Sequence, residues 1–553
     1  MRRLGMSVVF LVALASGCAS KEEAAARWYG PGYPDPGDSV VLETSRGPIF
    51  SAYTELGIGL GLVGVPNIDD DDLNGEMDWL QAGQADRDND FAVANLVTYG
   101  RTIELTLVGA GVRVHSDGEV LLDEINNVAR VQSDVNLRVE FSEFLTQARL
   151  EVVDEAREDA FDVMLTASPL ILNHHLQRAE ETMALAISGG EGWDNTDFID
   201  GYEAALEDGF FAIAGSRYDY DPWVQDEFEF GYATSPDAHL DVVFDTHRNG
   251  QGRPGEGLDD FPEDEYLAPD WAIVNWGRVT ANSLDYGGNL EVSPPVTVDG
   301  VEYPYGRIYY GGASGYLPQQ STRKALDDMQ IQKPFMGDST WLCVGHIDEF
   351  TSTIPDSSAP KGFRFIIADT RSAWSLLDSL DEDMRLPRYA PGGWSGHSID
   401  NVGEITGNRA LRNLNEEVQE ILDEEKARFV RELGLTEEDI IYMPSLFEEP
   451  QGCGQYVAAL IPGMANLVVS EANGEPVILL ADPFLREDVD DQSSDPMIDY
   501  VRSILPSSVE VVFLDDWDVY HMGLGEVHCA SNVKREAPQT WWEDAGHLIG
   551  GDE

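Results

Sequence analysis

Cys529 follows His528 directly in GEVHCASN, residues 525–532, in a chain with only 4 cysteines and 10 histidines. A thiol with the usual pKa of about 8.5 is mostly protonated at neutral pH. It becomes a nucleophile only beside a base, a cation or a positively charged substrate. If 525–530 is extended, His528 and Cys529 point to opposite faces, so the base must come from elsewhere. His346 is the best placed: in LCVGHIDEF, 342–350, it stands two residues before Asp348, and a strand would turn both to one face. In DPWVQDEFEFGYA, 221–233, the same reading puts Asp226 on one face with Phe228. Gln225, Glu227 and Glu229 then lie on the other face. That second face reads either as a cation-binding edge of hard oxygen ligands or as the polar side of an edge strand. Paired carboxylates hold a guanidinium through fork-like hydrogen bonds. Cys529, His346, Asp226 and Asp348 together therefore describe a site for attack on a guanidinium carbon.

Elements of several domains must carry these residues. At 553 residues the chain exceeds what one core organises. With 35 basic against 101 acidic residues its net charge is −66. Such a surface repels nucleic acid and anionic lipid heads and attracts metal ions and basic peptides; it also reads as plain solubility or adaptation to salt. Residues 1–18 read as a secretory signal: two arginines, an apolar run, then small residues ending at Cys18. Residues 19–45, rich in Ala, Gly, Pro and Glu, read as a linker. Without Cys18, Cys343, Cys453 and Cys529 remain, and an odd number in an oxidising compartment cannot all pair. Cys343, beside Val344 in an apolar strand, reads as core, and Cys453 carries no assigned role.

Residues 46–165 alternate apolar and polar positions between turn signals, as in RTIELTLVGAGVRVHS, which predicts an all-β module. Within it Asp70, Asp72, Asn74 and Gly75 match the opening of an EF-hand calcium loop, but Gln81 stands where the closing acid belongs. The loop is either a calcium site of another type, completed by Asp86, Asp88 or Asp90, or a solvated acidic turn. Residues 166–553 alternate strand runs such as GFRFIIAD, PVILLADPF and SVEVVFLDDW with helices, which predicts an α/β domain. The clearest helix, LRNLNEEVQEILDEEKARFVRELG, sets Leu411, Leu414, Val418, Ile421 and Leu422 on one face and ends at Gly434. Thr436 to Asp439 reads as the capping box of a short following helix. No sequence repeat is strong enough to define a period, and no Walker loop, G-x-S-x-G elbow, H-E-x-x-H or dinucleotide fingerprint is present.

From about Ala167 onward the chain resembles the catalytic domain of protein-arginine deiminases. The strings that carry the resemblance are WVQDEFEFGY, FDTHRN, GNLEVSPPVTVDGVEYPYGRI, VGHIDEF, KGFRFIIA, RELGLTEEDIIYMPSLF, PGMANLVV and YHMGLGEVHCASNVKR, in family order. The resemblance implies a five-bladed α/β propeller, preceded by an immunoglobulin-like domain. It implies Cys529 as nucleophile, His346 as general acid and base, and Asp226 and Asp348 as guanidinium ligands, with Trp223, Arg248 and Val344 at the substrate. It also implies Ca²⁺ as cofactor. One site would take Gln225, Glu229 and Glu291 with backbone oxygens near Gly287 and Leu290; a second would take Glu227, Asp245, Thr246 and Asn249. Gly250 replaces a family arginine that grips the substrate backbone. The implied substrate is an arginine-containing protein or peptide. Free arginine or another small guanidine is the alternative, as is a non-catalytic calcium-binding surface lipoprotein. The run ending at Cys18 is similar to a lipoprotein box, which implies a lipidated, membrane-attached or secreted bacterial relative.

Overall fold

Alternating apolar positions in the first part of the chain close into two packed sheets. The computed structural model describes residues 61–549 except 72, 74–76, 81–89, 155, 157–158, 188–193, 247, 249–256, 276–281, 391–397 and 539. It describes backbone alone at 11–12, 40–44, 49–52, 54–56, 59–60 and 159. One sheet has seven strands, in the order Leu11–Val12, Val40–Thr44, Ile49–Ala52, Ala92–Val97, Val135–Phe141, Val112–Ser116 and Glu119–Leu122. The other has six: Val128–Val131, Ile103–Val108, Gln147–Asp154, Asp159–Ala167, Gly59–Gly64 and Thr54–Leu56. Their inward residues, among them Leu105, Leu107, Val139, Leu150 and Val152, form one fully buried core, as the period-two pattern predicts.

The rest of the chain is mixed α/β, and its sheets repeat a pattern that the sequence does not display. Five small sheets share one plan, in which an antiparallel pair is followed by a parallel third strand. They are built on Phe228–Thr234 with His239–Asp245 and Trp271–Val274; Leu290–Val292 with Ile308–Gly311 and Phe335–Gly337; and Thr351–Pro355 with Phe363–Asp369 and Ile440–Pro444. The fourth is Val468–Ala472 with Glu475–Ala481 and Glu510–Leu514, and the fifth Ser531–Arg535 with Ala179–Ala186 and Phe210–Ala214. The first of these sheets also carries Ile171–Leu172 on its outer side. In the fifth, the strand that leads the pair comes from the end of the chain and its partners come from the beginning of the domain.

The expected helix spans Arg409–Glu432, with Asn408 accepting from Leu411 N at its start. Its buried stripe is Asn415, Val418, Gln419, Leu422, Glu425 and Phe429, while Leu411, Leu414 and Ile421 lie half-buried at the margins. Gly434 takes the left-handed conformation, φ 60°, just past its end. The Thr436–Asp439 capping box is present, over a single short turn. Cys343 is not a core thiol: it lies half-buried in a bend and forms a disulfide with Cys453. Cys343 N also donates to Val457 O, and Val457 N to Trp341 O, so the bond reinforces an existing backbone pairing. Among the described residues no helix is long and apolar enough to cross a membrane.

Candidate active site

Five residues, one from each small sheet, stand two or three positions before the first strand of the antiparallel pair: Asp226, Gly288, Asp348, Asn466 and Cys529. The local structure there differs from the strands expected. Residues Val224–Glu227 form one helical turn before Phe228–Thr234 begins, so Asp226 and its neighbours do not alternate faces. His346 is the N-cap of a short 3-10 turn, Ile347–Glu349, whose Glu349 side chain accepts from His346 N. Residues 527–530 form a turn before Ser531–Arg535. In that turn His528 and Cys529 both reach Asp348, which the extended reading excluded.

All four expected catalytic side chains are buried and share one region. The Cys529 Sγ lies 3.5 Å from Asp348 Oδ2 and receives a 3.3 Å contact from Asn466 Nδ2. Asp348 Oδ2 accepts from Asn466 Nδ2 at 2.8 Å and lies 2.9 Å from His528 Nδ1. The His346 Nε2 lies 2.7 Å from Ser283 O. A carbonyl only accepts, so that nitrogen carries a proton and Nδ1 is left facing Asp226 Oδ1, 3.5 Å away. Asp226 Oδ1, Asp348 Oδ1 and His346 Nδ1 have no hydrogen-bond partner among the described residues. Gly288 marks the space between them. A Cβ there would stand 2.8 Å from Asp226 Oδ1, 2.8 Å from His346 Nδ1 and 3.3 Å from Asp348 Oδ2. A group of guanidinium size needs that room.

Electrostatics agree with a site built for a cation. Burial pushes the Cys529 thiol up, and the Asp348 and Asp226 carboxylates push it further. Burial also raises Asp226, partly countered by His346 and Arg248. Trp223 covers Gly523 and Gly525, where a Cβ would meet its ring at 2.8 and 2.4 Å, and the Gly525 position lies 3.2 Å from the Cys529 Cβ. It thus walls the site beside the sulfur. Val344 is half-buried in the bend before His346. Arg248 departs from the expected substrate contact: it is buried, bonds both oxygens of Asp221 at 2.8 and 2.7 Å, and donates to Glu227. Its guanidinium is spent on the protein's own carboxylates.

Two sets of oxygen ligands were expected beside this centre. Gln225, Glu229, Leu290 and Glu291 do line one cavity, together with His175, His528 and Arg535. Gln225 donates to Glu229, and a Cβ on Gly287 would meet Gln225 O at 2.1 Å, so the segments carrying the ligands touch. Burial raises Glu229 well above the carboxylate range, with Glu291 and Asp348 adding to it. Burial raises Glu291 to about 7, and the His528 charge opposes that shift. Arg535 and His528 offset only part of that crowding, and hard oxygens brought together in this way suit Ca²⁺, so this set fits the ion. In the second set the described side chains have other partners. Glu227 is paired with Arg248, Thr246 Oγ1 donates to Asp226 O at 2.5 Å, Asp245 accepts from Asn275 at 2.8 Å, and Asn249 lies outside the described residues.

In the β module Asp72, Asn74, Gly75, Asp86 and Asp88 also lie outside the described residues. Asp70 is buried, but the carboxylates that converge are Asp69, Asp71 and Asp90. Burial, then the Asp71 charge, raises Asp69 to about 6. Asp69 and Asp90 are buried and Asp71 is half-buried. Asp69 accepts from Asp270 N at 3.1 Å, which ties the cluster to the second domain.

Sequence reasoning missed Asn466, His175 and the link from His528 to Asp348. PGMANLVV gives no chemical reason to single out one amide. Only the fold shows that Asn466 holds the same rank before its strand as Asp226 and Cys529.

A buried thiol, an imidazole and two carboxylates meet in one region, a set of groups whose chemistry suits a thiol nucleophile facing a planar cation. The family model for protein-arginine deiminase (PAD) matches residues 158–543. The chain is 37% identical over 339 residues to the Mus musculus protein-arginine deiminase type-1, covering 58% of this chain and 47% of that protein. It is 34% identical over 402 residues to the Homo sapiens type-4 protein, covering 69% of this chain and 56% of that one. It is 36% identical over 344 residues to the Homo sapiens type-3 protein, covering 58% and 48%. The chain belongs to the protein-arginine deiminase family. It spans about half the length of the curated relatives it matches.

Proposed function

We propose that this chain hydrolyses arginine residues of proteins or peptides to citrulline and ammonia, with Cys529 as nucleophile and Ca²⁺ required. The convergence of Asp226, His346 and Asp348 beside Gly288, with the Cys529 sulfur against Asp348, carries the reading. An arginine guanidinium there lies between the two aspartates. Its charge offsets the carboxylates that keep the thiol protonated, so the thiol proton can pass to His346 Nδ1. The sulfur adds to the guanidinium carbon. His346 returns the proton to one nitrogen, the carbon–nitrogen bond breaks and ammonia leaves, giving a thiouronium. Water then gives a proton to the same histidine and adds to that carbon. The carbon–sulfur bond breaks, the hydroxyl proton passes to the sulfur as the carbonyl forms, His346 gives up its own proton to solvent, and a neutral citrulline remains that the aspartates no longer hold.

Gln225, Glu229 and Glu291, with backbone oxygens near Gly287 and Leu290, would hold the calcium, which would supply positive charge against the buried carboxylates next to Asp226. The five three-stranded units, closed by pairing of Ser531–Arg535 with Ala179–Ala186, support a five-bladed propeller with the site at its centre, and the two-sheet module supports an immunoglobulin-like domain. The burial of Arg248 favours a second reading, hydrolysis of free arginine or a small guanidine, because that side chain does not offer a grip on peptide backbone. Ammonia release decides between them. Faster release from a peptide with an internal arginine supports the protein substrate, and release from free arginine alone overturns it. The signal ending at Cys18 lies outside the described residues apart from the backbone at 11–12. It supports a secreted or envelope-anchored bacterial lipoprotein. Cys18→Ser should move the chain from the membrane fraction to the soluble one, and an unchanged distribution would remove the anchor.

A further inference from the structure

Two buried histidines that the catalytic scheme does not use face Glu291 across the cavity beside the active site. His175, His528 and Glu291 are 8%, 7% and 6% exposed. The His175 Nε2 lies 3.8 Å from Glu291 Oε2, the His528 Nε2 lies 3.6 Å from Glu291 Oε1, and the three ligand atoms all lie within 4.8 Å of one another. The two rings are 5.5 Å apart and tilted 59°, so their edges, and not their faces, converge on the carboxylate.

The other nitrogen of each ring fixes the tautomer. His175 Nδ1 lies 3.2 Å from Thr353 O, and His528 Nδ1 lies 2.9 Å from Asp348 Oδ2. A carbonyl and a carboxylate oxygen both accept, so each Nδ1 carries a proton and each Nε2 is the nitrogen that faces Glu291; on His528, whose charged form the Glu291 and Asp348 carboxylates favour, an entering ion would displace the Nε2 proton. Metal-ligating imidazoles are held in this way, with the far N–H on an oxygen acceptor. The two contacts run to different oxygens of Glu291, and one ligand atom from each residue lies within 4.8 Å of the others, so a small turn of the carboxylate would bring them towards the separations of about 3.4 Å that a tetrahedral ion with bonds of about 2.1 Å requires. Arg535 lines the same cavity, but its guanidinium donates to the carbonyls of His175, Gln177 and Val469.

We propose that His175, His528 and Glu291 form a site for a divalent transition-metal ion of the zinc class. Two imidazoles and one carboxylate suit such an ion and not calcium, which takes oxygen ligands. The site differs in chemistry from the all-oxygen set while sharing Glu291 with it.

Co²⁺ is the probe, titrated into the full chain in calcium-free buffer. The wild type should develop the visible bands of a nitrogen- and oxygen-ligated ion, saturating at one equivalent, and excess Zn²⁺ should bleach them. Cys529→Ser should leave the spectrum unchanged. His175→Gln should weaken binding by about 100-fold or more, since losing even an outer-sphere partner of a ligand costs about 10- to 100-fold. His175→Asn, a smaller amide, serves as the second variant, and the thermal melt of each is compared with wild type. Absence of saturable bands in the wild type would overturn the site. So would equal affinity in a folded His175 variant, or an intense thiolate band that disappears in Cys529→Ser.

Discussion

Gly288 decides the space of the site because a single carbon there would fill it. An added Cβ at 2.8 Å from both Asp226 Oδ1 and His346 Nδ1 is closer than such atoms tolerate. Gly288→Ala should therefore keep the fold and lower kcat/KM by about 100-fold or more, the scale at which small displacements of reacting groups act. Steady-state ammonia release, beside an unchanged far-UV spectrum, checks it; near-normal turnover would mean that substrate binds elsewhere. At this scale the sequence was informative where chemistry is explicit. A thiol, an imidazole and two carboxylates name a reaction by type, and all four meet. Gly288 and Asn466 carry no such label. Their roles are to leave room and to hold Asp348, which are properties of three-dimensional neighbours.

At the scale of elements, turns and not strands position the chemistry. Reading strands from the sequence identified Phe363–Asp369, Glu475–Ala481 and Glu510–Leu514 well, from their apolar runs. It failed at 224–227, 346–349 and 527–530 because the reactive residues sit on the tight entries to strands. Backbone direction changes within a few residues there, and face alternation does not apply. Cysteine count alone pointed to a free thiol, and Cys529 is free, but the count could not pair Cys343 with Cys453. That disulfide ties together residues 110 apart in sequence, a separation for which chain entropy gives about 5 kcal/mol. Replacing Cys343 and Cys453 together by serine should lower stability by about that amount in denaturant titration, with the same loss on reduction of the wild type. A wild-type midpoint indifferent to reductant would contradict a structural bond.

For the whole molecule, charge is the governing quantity. With 101 acidic residues, many carboxylates are packed inside. Glu291, Asp245 and Glu526 are each raised to about 7, first by burial. A carboxyl whose folded pKa exceeds its unfolded value binds more protons in the folded state between the two, so stability falls as pH rises through that window. The metal-free chain should therefore melt at progressively lower temperature from about pH 4.5 to about pH 7. Calcium should flatten the decline by occupying the Gln225, Glu229 and Glu291 set. A scanning melt with chelator and with calcium measures both, and a melting temperature that rises across the window in chelator would contradict the charge account.

The central claim, that Cys529 attacks a guanidinium held by Asp226 and Asp348, is tested most directly by mass spectrometry of a peptide with one internal arginine. Wild-type chain in calcium should convert that residue to citrulline. Chelator should stop the conversion reversibly, and Cys529→Ser should reduce it by about 1000-fold or more, since a serine hydroxyl is a far weaker nucleophile in the same place. Citrulline formed at a comparable rate by Cys529→Ser, or no citrulline from the wild type in saturating calcium, would contradict the account.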